Sequence, residues 1–281
     1  MVKDMKRNIL LLACICLTAG QVSCRKHIEF IDADHPLHSS SATEQMYQKQ
    51  QGAIRFVQYN VGAFYKFMED SSPLVASVLK DLDADVVGLN ELDCLNKRHN
   101  VYQMQVFAEQ RMGPEWEWHY QPAMEYKGGT YGNGVMTRLG PVTGRWGDYL
   151  PVDPGSEPRA FCVIETAGFV AVSAHIDNST AQSAVLAVAG LNEAITARYG
   201  TSDKLVVLMS DTNTRKGTDA MNEMLKCWTI AGTDNRFDYV LVLNNRAKYR
   251  VVSSAVISRS NAGDVSTASD HYPVYADIIQ L

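Results

Sequence analysis

The chain has 281 residues, 46% of them apolar and 20% charged, with 26 basic against 31 acidic side chains and a net charge of −5. That composition belongs to a folded globular protein and excludes a disordered or collagen-like chain. The acidic balance argues against a protein that grips long nucleic acid through its phosphates, which needs a basic surplus. No apolar run reaches the roughly 20 residues that span a bilayer.

In chain order, Lys3, Lys6 and Arg7 come first, Ile9 to Ala19 is apolar, and small residues precede Cys24. The pattern reads as a secretory signal peptide over 1–23. Cys24 is the candidate lipidated first residue of an exported lipoprotein of the cell envelope, with simple secretion as the alternative. Losing a net +2 with that segment takes the mature chain from −5 to −7. The polar, Ser-rich residues 24–52 read as a tether to the membrane, and 53–281 as one domain. Cys94, Cys162 and Cys227 fall in that domain without CxxC spacing, so neither a disulfide framework nor a zinc site is expected. Cys162 and Cys227, in or beside apolar runs, are expected to be buried free thiols.

Within the domain, Ile54 to Asn60 alternates as a strand does. Ser71-Ser72-Pro73 starts a helix, a Ser cap with Pro in the first turn, and Leu74, Val78 and Leu82 lie on one face. A short strand follows over 85–90, and a helix over 101–112 stops before Gly113-Pro114. Strands are expected at 116–121, 131–138, 159–165 and 169–175, with a loop over 144–158. Tyr131-Gly132-Asn133-Gly134 is glycine-rich, and a hairpin turn is its plain alternative. Ser179 is expected to cap a long Ala-rich helix closing at Gly200. A strand at 205–209, a helix near 217–226, and strands at 237–243, 250–257 and 272–279 complete the pass. Many strands with few helices predict an α/β fold whose two-layered sheet core is flanked by helices.

Six of these strands meet polar residues at one end: Asn60; Asn90-Glu91; His175 with Asp177 and Asn178; Asp211 and Asn213; Asp238; and Asp270-His271. A lone acid at a strand end is usually a turn residue, but six from one chain point to a shared rim, where sites form. Glu91 and Asp270 are hard oxygen ligands suited to one divalent cation such as Mg²⁺. Asn60 and Asn213 are neutral and can hold an anion or an attacking water. His175 and His271 can donate to phosphate or move a proton, Asp238 can orient His271, and Asp211 can take a proton from water. The set describes phosphoester hydrolysis better than acyl transfer; there is no GxSxG and no GxxxxGK loop.

The ordered motifs QYNVG, DADVVGLNE, YGNGVMTR, PRAFCVIE, SAHIDNS, LMSDTNT, FDYVLV and SDHYPV resemble those of the endonuclease/exonuclease/phosphatase superfamily, across essentially 53–281. The resemblance implies a DNase I-like α/β sandwich of two mixed, mostly antiparallel sheets, and Mg²⁺-dependent (or Mn²⁺-dependent) phosphoester cleavage. It implies Glu91, Asp270 and Asn60 at the metal, and His175, Asp211, Asn213, Asp238 and His271 as the catalytic set. Asn60, Arg159 and Asn178 are implied at the phosphate. Two departures stand out: Thr212 lies between Asp211 and Asn213, as in tyrosyl-DNA phosphodiesterase-like members, and Gly62 stands where some members carry a further acid. The charge and the expected membrane anchor favour a small or lipid-borne phosphoester. The alternatives are a nuclease acting on DNA or RNA and a catalytically inactive surface binding lipoprotein. No protein partner is implied.

Overall fold

The computed structural model describes residues 46–281. The expected signal peptide, Cys24 and the tether as far as residue 45 lie outside the described residues. In chain order the elements are β1 (Ile54–Asn60), α1 (Ser72–Asp81), β2 (Val86–Cys94), α2 (Gln103–Gln105), β3 (Glu117–Tyr126), β4 (Gly129–Thr137), β5 (Val142–Leu150) and β6 (Arg159–Thr166). They continue with β7 (Phe169–His175), α3 (Ala181–Tyr199), β8 (Leu205–Asp211), α4 (Asp219–Met224), β9 (Trp228–Thr233), β10 (Asp238–Leu243), β11 (Tyr249–Val256) and β12 (Val274–Gln280).

The strands form two six-stranded sheets, ordered β11-β12-β1-β2-β4-β3 and β5-β6-β7-β8-β10-β9. Each is antiparallel except for one central parallel pair, β1 with β2 and β7 with β8. Phe56, Val86 and Ile278 of the first sheet bury themselves against Ile164, Phe169, Val207 and Met209 of the second. The outer face of the first sheet packs under α1 and the helix after it, through Val75, Leu79 and Phe107. The outer face of the second packs under α3 and α4, through Leu191, Ile195 and Met221. The result is the expected two-sheet α/β sandwich.

Close approach between the sheets needs Gly88: a Cβ there would lie 2.6 Å from Cβ of Met209. Across β1 and β12, the fully buried Arg55 guanidinium pairs with Asp277 at 2.7 Å and covers the Tyr275 ring at 4.2 Å. Residues 46–52, placed in the tether by the sequence reading, contact the domain. Tyr47 meets Tyr275 edge-on, and Lys49 bridges Asp83 and Asp85.

Some local expectations are corrected. The loop expected over 144–158 contains most of β5, an edge strand whose mixed burial pattern hides its alternation. The strand expected at 131–138 is found as β4, which takes in Tyr131 to Gly134; the alternative of a hairpin turn there falls, and the chain reverses at Lys127-Gly128, both at positive φ. The strand β9 was not foreseen. The helix over 101–112 is α-helical only at Gln103–Gln105 and continues as a π-helix over Val106–Met112. Thr180, not Ser179, caps α3 by accepting from Ser183 N; Ser179 Oγ donates to Asp177 instead. The expected Ser cap of α1 is missing: Ser71 holds the cap position but makes no side-chain cap, and Asp70 accepts from Ser72 N at 2.9 Å. Cys162 is buried, but Cys227 is only half-buried.

Candidate active site

Topology explains why distant residues meet. Parallel neighbours end at the same edge, so Asn60 aligns with Asn90 in the first sheet and His175 with Asp211 in the second. Antiparallel neighbours begin where these end. Asp238 opens β10 directly opposite Asp211, and Arg159 opens β6 beside the end of β7. Asp270 and His271 arrive just before β12, which runs antiparallel to β1. Ser269 ties that arrival in place: its hydroxyl donates to Asn60 O at 2.7 Å.

Glu91 is turned out by the backbone. The β2–β4 register breaks between Leu89 and Leu92, and Glu91 sits in that break at φ +63. A non-glycine residue in the left-handed region is strained, and such strain gathers at functional positions. Asn213, just past β8, is likewise left-handed at φ +48. Asn90, fully buried, fixes the two sheets to each other: its amide donates to Ala174 O at 3.1 Å and accepts from Asp211 N at 3.1 Å. Gln58 donates to Asn90 at 2.6 Å and to Asp238 at 3.1 Å.

Asp211 is the centre of the cluster. Its Oδ2 accepts from Asn60 Nδ2 at 2.9 Å, and its Oδ1 accepts from Asn213 N at 3.0 Å. Nε2 of His175 and of His271 lie 3.5 and 3.7 Å from Oδ2. Asn60 also donates to Glu91 at 3.1 Å, linking the two acids. On the far side of His271, Nδ1 meets Asp238 Oδ2 at 2.7 Å. Burial pushes the Asp211 carboxyl up to about 6, against the pull of His271 and with the Asp238 charge adding. Burial also raises Asp238, opposed by His271. Burial disfavours charge on His271, but Asp238 and Asp211 override it and hold the imidazole well above its usual range.

His175 is the opposite case. Burial, then the Arg159 charge, hold it well below the usual imidazole range. Both ring nitrogens face donors, Arg159 Nη1 at 3.2 Å and Asn213 Nδ2 at 2.9 Å. A neutral imidazole accepts at only one nitrogen, so one of these two contacts lacks an acceptor, although Arg159 Nη1 also meets Glu157 at 3.0 Å and Asn213 Nδ2 donates to Ile176 O at 3.0 Å. Arg159 Nη2 donates to Asn178 at 3.3 Å, and its buried Nε has no hydrogen-bond partner, lying 3.7 Å from Asp177. A cleft of about 390 Å³ opens alongside, lined by Asn178, Asn213, Arg215 and Phe237 among others.

Among the described residues, two places offer cation ligands. Asp211, Asp238 and His271 present atoms within 4.8 Å of one another, but Asp238 is hydrogen-bonded to His271, and Asp211 to Asn60 and Asn213. Glu91 and Asp270 already share one positive charge. Lys66 Nζ is 3.6 Å from Glu91 Oε2 and 3.1 Å from Asp270 Oδ2. Two hard carboxylates that converge on a cation fit a divalent metal; Asn60, expected as a third ligand, faces Glu91 with its Nδ2 donor while its Oδ1 accepts from Gly62 N, so here it steadies the carboxylate.

Every site residue named from the sequence is thus brought into one connected network, with Asn178 at its margin behind Arg159. Lys66, Gln58 and Ser269 are additions. Gln58 shares the strand that ends at Asn60, and Ser269 precedes Asp270. Lys66 sits in an irregular segment with no periodic signal to single it out.

The profile of the Endonuclease/Exonuclease/phosphatase family matches residues 57–271. The chain belongs to this family. Among solved structures, a family protein from Bacteroides thetaiotaomicron aligns at 14% identity and TM-score 0.63, over 84% of this chain and 97% of that one. The mannosyl-6-phosphatase of the same species aligns at 14% identity and TM-score 0.64, over 80% and 99%. The human Nocturnin catalytic domain, solved with a bound sulfate, aligns at 13% identity and TM-score 0.64, over 83% and 95%. At such identities the likeness speaks for the DNase I-like fold of the family. No curated protein matches significantly.

Proposed function

We propose that this member of the family is a metal-dependent phosphoric ester hydrolase acting on a small or lipid-borne phosphoester. One observation carries the reading: the buried Asp211 carboxylate stands 3.5 and 3.7 Å from the imidazoles of His175 and His271, the second of them backed by Asp238 at 2.7 Å, and the directions of their pKa shifts agree with a division of labour. Pushing titratable neighbours apart in this way is how a site divides acid from base work near neutral pH.

Asp211 Oδ2 is the group to take the proton of an attacking water, which Asn213 and Asn60 orient. His271, charged and steadied by Asp238, offers its Nε2 proton to a phosphate oxygen. Arg159, Asn178 and neutral His175 supply the donors that an oxyanion satisfies; the sulfate bound to Nocturnin belongs to that ligand class. Glu91 and Asp270, with Asn60 steadying Glu91 through its Nδ2, would hold Mg²⁺ or Mn²⁺, which supplies charge neutralisation of the phosphate when bound. Donors aimed at developing charge provide the larger share of such acceleration, because one positioned base contributes only about 10²–10⁴-fold.

The preference for a small or lipid-borne ester rests on the acidic net charge of −5. The phosphatase name of one similar structure agrees with it. The test is a panel of lipid diesters, sugar phosphates, nucleotide monoesters, plasmid and single-stranded DNA, assayed with Mg²⁺ or Mn²⁺ and with EDTA. Chelator-sensitive turnover of a small or lipid ester supports the reading. Preferential cleavage of DNA, or no turnover of any ester, overturns it.

A further inference from the structure

The cluster carries a cation of its own. Lys66 Nζ lies within ion-pair distance of both Asp270 (3.1 Å) and Glu91 (3.6 Å), the two carboxylates to which the reading above assigns the metal. The backbone goes to some expense to place it. Gly62, Ala63 and Phe64 are all left-handed, at φ 53, 53 and 60, and each non-glycine residue so held costs on the order of 1–3 kcal/mol. The turn is pinned by Gly62 N donating to Asn60 Oδ1 at 3.1 Å, Gln103 donating to Ala63 O at 2.8 Å, and Ser71 N donating to Phe64 O at 2.7 Å. The Lys66 stem fills the room a side chain at 62 would need: a Cβ on Gly62 would press on Cγ and lie 2.7 Å from Cε. Lys66 is therefore built into the site, although its side chain keeps 33% of its exposure.

We infer that Lys66 is the resident cation of this site and that its ammonium competes with the divalent metal for the Glu91–Asp270 pair. Two carboxylates that share a small space repel, and one ammonium relieves only half of that charge. A divalent ion neutralises both, but it cannot lie beside an ammonium held 3.1 and 3.6 Å from the same carboxylates without like-charge repulsion. Metal binding must displace Lys66, so the lysine keeps the pair assembled in the absence of metal and weakens the metal's hold. The inference rests on the metal-dependent reading above.

The experiment is isothermal titration of the full mature chain with Mn²⁺ alone, for the wild type, Lys66→Met, Lys66→Arg and Glu91→Gln. Lys66→Met should bind Mn²⁺ roughly tenfold tighter or more, since a competitor has been removed. Lys66→Arg should stay near the wild-type affinity. Glu91→Gln should lose most binding. In EDTA, Lys66→Met should melt below the wild type, and saturating Mn²⁺ should raise its Tm by more than it raises the wild type's. Wild-type or weaker Mn²⁺ affinity in Lys66→Met, with Glu91→Gln still defective, overturns this inference alone. If the wild type binds no Mn²⁺, or Glu91→Gln binds as well as the wild type, the metal-dependent reading falls as well.

Discussion

Asp211 is both a buried carboxyl and the proposed base, and the two roles pull against each other. Its pKa is raised from the ordinary 3.8 to about 6 by burial. Between those values the folded chain binds a proton that the unfolded chain has released, so stability falls as pH rises through that window and stays lower above it. Asp211→Asn removes this liability. The variant should melt no lower than the wild type at neutral pH in EDTA, while turnover falls by about 10²–10⁴-fold. A clear drop in Tm would mean the carboxylate stabilises the fold instead. For the wild type, the acid limb of kcat/KM should climb with pH through about 6 as the base form appears, and a rate independent of pH across that range would contradict the assignment.

At the scale of elements, the site depends on how rigidly the strands are held. The Arg55–Asp277 pair joins β1 to β12 with both side chains fully buried. Asp277→Asn leaves a buried guanidinium short of a counter-charge and should cost about 3–5 kcal/mol in urea unfolding; a loss below about 1 kcal/mol would show that Tyr275 and the accepting carbonyls suffice. Gly88→Ala forces a methyl into the space between Gly88 and Met209 and should cost about 1–3 kcal/mol; a stability equal to that of the wild type would mean the sheets can separate freely there. The central strands were legible in the sequence because both faces are buried and their apolar runs are unbroken, as in IRFVQYN and LVVLMSD. The edge strand β5 was not, because Thr143, Arg145 and Asp148 interrupt it with solvent-facing polarity. Gly132 and Gly134 left a hairpin turn open as an alternative to the expected strand, and they serve close approach to Gln121 and Met104 inside β4.

For the whole molecule, sequence order gave no hint of distance, but strand-end chemistry did. Asn60, Glu91, His175, Asp211, Asp238 and His271 were readable because each interrupts an apolar run with a group out of keeping with it. Lys66 was not readable, since its place follows from a left-handed turn that no periodicity announces. Export and lipid anchoring at Cys24 remain our proposal for the N-terminal segment. Metabolic labelling with radioactive palmitate should mark the wild type and not Cys24→Ala, whereas equal labelling of both, or of neither, would place the anchor elsewhere or remove it. The proposal as a whole stands or falls on hydrolysis at the gathered strand ends. Purified wild type and Asp211→Asn should be given the same generic phosphodiester in Mn²⁺, with released product followed over time. We expect steady turnover by the wild type, abolished by EDTA and cut at least about a hundredfold by the substitution; equal rates for the two proteins would contradict it.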